Sequence, residues 1–138
     1  MIQALAMSAR MACARTSLEL RALHDSVERA CCLAGSLPWD RKAAAHAEIF
    51  SLLADMVDDR SQAPLLAAGP GYVLELMLAV GRVADGMIVS SRRRLLARLR
   101  AGDGEAAALE MEKHLRGLLY MWRLALSDGQ PVAGEAMT

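Results

Sequence analysis

Neither sign of charge prevails in this chain of 138 residues, because sixteen Lys and Arg side chains are balanced by sixteen Asp and Glu. Without a basic excess the chain lacks the electrostatic footprint that phosphate-backbone binding by itself requires, so it is not expected to grip DNA directly. Cysteine is scarce. Cys13, Cys31 and Cys32 are odd in number and show no CxxC or Cys/His zinc spacing, which points to a reducing cytoplasm rather than to a disulfide framework. No apolar run reads as long enough to span a membrane, since Arg10, Arg15, Glu48, Glu75 and Arg82 interrupt the candidates, and the N-terminus is too weakly apolar for a signal peptide. A soluble, cytoplasmic protein without membrane contact is the expectation. Catalytic signatures are missing as well: there is no GxSxG, HExxH, P-loop or GxGxxG, and Gly69 and Gly71 have neither a third glycine nor a preceding strand. Glu75 and Asp85 lie too far apart on a glycine-interrupted segment to read as a paired acid and base, so no enzymatic activity is expected.

What is present is apolar and helical. Residues are 54% hydrophobic, and Ala, Leu, Met, Arg and Glu outweigh the β-branched and aromatic types, so the helical period runs almost throughout and no strand is read. Helical stretches are expected over 2–15, then from the capping box of Thr16 and Glu19 to Ala34, either restarting there or continuing one long bent helix to Gly35. After Pro38, the stretch 39–58 carries Ala43, His46, Ile49, Phe50, Leu53 and Val57 on one face. Pro64 and the Gly69-Pro70-Gly71 cluster are expected to break the chain, leaving a short helical turn over 61–67. The segment 72–86 is apolar nearly all round and reads as a helix buried between others and at a subunit contact. A helix to Arg100 and another from Asp103 to Leu126 complete the series. The fold expected is all-α, an antiparallel bundle of about six to seven helices, with one domain over 1–128 and an unstructured polar tail over 129–138.

Polar residues intrude on this pattern. His46, Arg92 and His114 each fall on the apolar stripe of a different predicted helix. His114 shares its stripe with Met111, Leu118 and Trp122; Arg92 lies on the line of Ile88, Leu95, Leu96 and Leu99; His46 precedes Phe50 by one turn. Taken singly, each has a bland explanation: a satisfied core histidine, or an arginine stem snorkelling outward. Taken together they point to a buried polar pocket, because one shared site would satisfy all three. Arginine is the side chain best shaped to hold a carboxylate or phosphate. The nine methionines read as core filling that would also suit an adaptable pocket.

The order of residues resembles a known family. Ala9-Arg10-Met11-Ala12-Cys13-Ala14-Arg15-Thr16 with Leu20 and Leu23 is similar to the opening helix of the FCD domain, the effector-binding domain of FadR-type regulators in the GntR family. Leu95-Leu96-Ala97-Arg98-Leu99-Arg100-Ala101-Gly102-Asp103, then Ala106-Ala107-Ala108, Met111 and His114-Leu115, resembles that domain's helix closing on glycine-aspartate and its last helix with a histidine-leucine pair. The segment from His46 to Ala54 stands where the family carries an aspartate and, four residues on, a histidine. The resemblance implies sensing of a small carboxylate or acyl effector, a homodimer, and DNA binding only through a winged helix-turn-helix that nothing in this chain supplies. Many FCD domains hold a divalent metal there. In that register His46 replaces the aspartate, Phe50 the first histidine and Arg92 the second, leaving only His114; a shift by one puts Ala47 and Ser51 there instead. So few donors make a weak metal site, and no metal or other cofactor is expected. The expected ligand-binding residues are Arg92, His114, His46 and Phe50, with the arginine's fixed charge holding the anion. The alternative is a helical protein-interaction module with no small-molecule ligand.

Overall fold

A computed structural model describes residues 1–33 and 35–127. They form six α-helices: α1 (Ile2–Ala12), α2 (Ser17–Cys31), α3 (Trp39–Asp55), α4 (Ala63–Val80), α5 (Asp85–Arg100) and α6 (Gly104–Ser127). Single 3-10 turns cover Arg60–Gln62 and Arg82–Ala84, and the described residues contain no strand. The chain is thus an all-α bundle. The tail expected over 129–138 lies outside the described residues, as does Ala34.

Thr16 decides where the first two helices part. Its hydroxyl accepts from the Glu19 N–H at 3.2 Å while Glu19 accepts from the Thr16 N–H at 3.3 Å, a reciprocal capping box that starts α2 afresh. Of the two expected arrangements the restart is the one adopted, and α2 ends at Cys31, short of the expected Ala34. α3 carries Ala43, His46, Ile49, Phe50 and Leu53 into the core as expected, but it ends at Asp55, leaving Val57 beyond the helix and half-buried. At the other end of the chain Asp103 accepts from the Ala106 N–H at 3.0 Å and opens α6.

The largest departure is α4. The expected break at Gly69-Pro70-Gly71 does not occur: one helix runs from Ala63 to Val80 with Pro70 inside it. A proline there removes one N–H and crowds the carbonyl four residues back, yet the helix persists because it is anchored along a shared face. Gly69 is buried, and a Cβ at that position would stand 2.7 Å from Cδ2 of Leu5 on α1, so the glycine permits a close helix approach. The uninterrupted segment Arg60–Val80 is, at 21 residues, long and apolar enough to cross a membrane by length and composition, which corrects the expectation that no run reaches that length. It packs against α3, α6 and α1. The expectation that the segment 72–86 is buried between others is also corrected, because Leu78 and Val83 within it are exposed.

The expected helix over 72–86 divides at Gly81, whose φ of 91° and ψ of −176° suit glycine and few other residues. The turn that follows aims Asp85 back at α3. Two contacts hold it: Trp39 Nε1 donates to the Met77 carbonyl at 2.8 Å, and the Arg82 guanidinium donates to the carbonyls of Gly35 and Leu37. Replacing Gly81 by alanine should cost about 1–3 kcal/mol of stability through backbone strain alone, since nothing lies within 4 Å of the added carbon. Gly86→Ala, in the first turn of α5 and equally uncrowded, should leave stability unchanged or raise it by up to about 1 kcal/mol. Urea unfolding reads both; equal midpoints for the two variants would contradict the assignment.

Candidate functional site: a buried arginine between two histidines

The three successive arginines of α5 separate by direction, as the helical step of about 100° requires. Arg93 points outward to Glu28 of α2 at 2.9 Å, and Arg94 binds Glu110 of α6 at 2.9 Å. Arg92 turns into the core. It is 2% exposed and among the largest fully buried side chains, which rules out the snorkelling arrangement. Its Nη2 donates to the His46 carbonyl at 3.1 Å, and its guanidinium carbon lies 5.0 Å from the centre of the Phe50 ring. No carboxylate neutralises it among the described residues. Burial pushes its pKa down to about 10, still well above neutrality, so the group keeps its charge.

His46 sits on α3 with its ring fully enclosed. Its Nε2 is 2.9 Å from Oδ1 of Asp85, whose Oδ2 takes a 2.6 Å ion pair from Lys42. Facing a carboxylate, Nε2 carries the proton, and Nδ1 is left as an acceptor. Burial lowers the His46 pKa; the hydrogen bond to Asp85 opposes that and the Arg92 charge reinforces it. For Asp85 burial works against ionisation, but the hydrogen bonds from Lys42 and His46 outweigh it and hold the carboxyl below the usual carboxylate range. Lys42 and Asp85 are members of this cluster that sequence reasoning missed. Lys42 did lie one turn before His46, which was the available signal; Asp85 had none, because its position depends on the turn at Gly81.

His114 completes the cluster from α6. It is 4% exposed, and neither ring nitrogen has a hydrogen-bond partner among the described residues. Burial drives its pKa well below the usual value, and the charge of Arg92 adds to the effect. It is not a satisfied core histidine. With His46 Nδ1 and Arg92 Nε, its two nitrogens make a set of buried polar atoms without partners. They offer donors at Arg92 and one His114 nitrogen, and acceptors at the other His114 nitrogen and His46 Nδ1. Three of the four residues singled out from the sequence touch, Arg92 contacting His46 and Phe50, while His114 is buried on α6 within reach of the Arg92 charge.

The donor set does not suit a metal ion. Among the described residues no group of three or more His, Cys, Asp or Glu side chains is placed to hold one. Comparison with protein-family models, with curated proteins and with solved structures finds no match for the chain.

Both histidine pKa values are lowered from 6.5 by folding, so below that pH the unfolded chain takes up protons that the folded one refuses. Stability is then full above about pH 6.5 and falls with acidification, by up to about 1.4 kcal/mol per pH unit for each histidine. Urea unfolding across this range should show the slope, and His114→Gln should remove the larger share of it, because Asp85 opposes the shift at His46. A midpoint that does not move between neutral and mildly acid pH would contradict the site as described.

Proposed function

We propose that the chain is a sensor for a small organic acid, the effector-binding and dimerisation part of a GntR-type transcription regulator of the FCD kind, working without a metal. The observation that supports it is Arg92: a charged guanidinium enclosed in the core with no counter-ion among the described residues and with its Nε unpartnered. An uncompensated buried charge is strongly unfavourable. A carboxylate supplied by a ligand would relieve it through charge-assisted hydrogen bonds, with His114 and His46 Nδ1 completing the contacts. Arg92 and His114 lie on α5 and α6, so an anion between them would bias how those helices pack. In an intact regulator that small shift would pass to a dimer and its winged-helix DNA readers. The chain's own charge balance supports leaving DNA contact to such a separate reader.

A second reading, a helical interaction module without a small-molecule ligand, draws on one observation: Leu65, Leu78 and Val83 are exposed along α4 and the turn after it. The two readings part on what Arg92 is for. Thermal unfolding against a panel of small carboxylic acids should raise the melting temperature of the wild-type protein by mass action. Arg92→Met, which keeps the volume and removes the buried charge, should fold with equal or higher stability and show no stabilisation by acid. Acid stabilisation that survives in Arg92→Met contradicts the sensor reading, and a flat panel with the wild type favours the interaction module.

A further inference from the structure

A cleft of about 430 Å³ opens between α5 and α6 beside the buried site. Its lining takes Ser91, Arg94 and Arg98 from α5, which recur on one face of that helix, and Glu110, Lys113 and His114 from α6. Three cations thus face one carboxylate. Glu110 is already satisfied, accepting from the Ser91 hydroxyl at 3.0 Å and from Arg94 Nε at 2.9 Å. That pairing also occupies Arg94. Arg98 and Lys113 are exposed and make no ion pair among the described residues, so the net positive charge of the cleft resides on them. His114, nine-tenths buried and without a partner on either nitrogen, forms part of the wall. The same imidazole thus belongs both to the cleft wall and to the buried interior of the bundle.

We propose that this cleft is the mouth of the acid pocket and that Arg98 and Lys113 form a second anion site at its rim, so that the effector is a dianion. One carboxylate reaches past His114 to Arg92, and the other stays at the rim, in water, between Arg98 and Lys113. This rests on the acid-sensor reading above and adds to it the class of ligand. Six residues of helix separate Arg92 from Arg98, a rise of about 9 Å, which a short, flexible dicarboxylate can bridge. Because the rim pair is solvated, its contribution is modest and sensitive to salt, whereas the buried contact to Arg92 is screened far less.

Calorimetric titration of the purified chain with glutarate against valerate, and with adipate against hexanoate, compares acids matched in length. The dicarboxylates should bind about fivefold more tightly at low ionic strength, and raising the salt should erode the difference. In an Arg98→Gln, Lys113→Gln double variant, changed only at exposed positions, the affinity for glutarate should fall to that for valerate. Equal affinities for the paired acids in the wild type overturn the rim site while leaving the Arg92 reading intact, and so does a dicarboxylate preference that persists in the double variant. If neither acid of a pair binds the wild type, the acid pocket falls, and the rim site falls with it.

Discussion

A guanidinium held inside a helical core with no carboxylate among the described residues to neutralise it is the constraint around which the site is organised. The Arg92 charge is tolerated because it is spread over a planar group, hydrogen-bonded to the His46 carbonyl and laid near the Phe50 ring. These contacts offset only part of what is lost on leaving water, since a carbonyl and a ring face carry no full charge. Burial is the main cause that lowers the pKa of both histidines, and the arginine's field adds to it in each case. Natural cores tolerate such local instability where a ligand removes it.

The surrounding bundle supports this arrangement through polar clamps between helices. Asp85 ties the start of α5 to Lys42 and His46 on α3; Glu110 ties α6 to Ser91 and Arg94 on α5; Glu28 ties α2 to Arg93. Each clamp joins α5 to a different neighbour. The helix that carries Arg92 is therefore fixed on three sides, and Gly81 with its turn supplies the change of direction that lets Asp85 reach α3. Preorganisation of this kind is what a binding group needs if a ligand is to meet it without first ordering it.

Much of this was legible in the sequence, for identifiable reasons. Helical periodicity placed His46, Arg92 and His114 on inward stripes, and all three are buried; periodicity reports which way a side chain faces relative to its own helix, and that was the question. Thr16 with Glu19 announced a helix start through local chemistry alone. The errors arose where tertiary packing overrides local propensity. Gly69 and Pro70 signal a break in isolation, but the close approach of Leu5 on α1 gives the glycine a packing reason and α4 continues through it. Asp85 and Glu110 could not be assigned because their partners stand 39 and 19 residues away, and no helical spacing encodes such pairs.

The central claim is that Arg92 is held ready for an acid. Nitrogen-detected NMR of the arginine side chains, followed while a small carboxylic acid is added, observes that group directly. The account predicts that the Arg92 Nε–H resonance shifts and saturates with one equivalent bound, in step with the ring nitrogens of His114, while those of the surface arginines stay in place. Saturable acid binding that leaves the Arg92 and His114 signals where they were would contradict it.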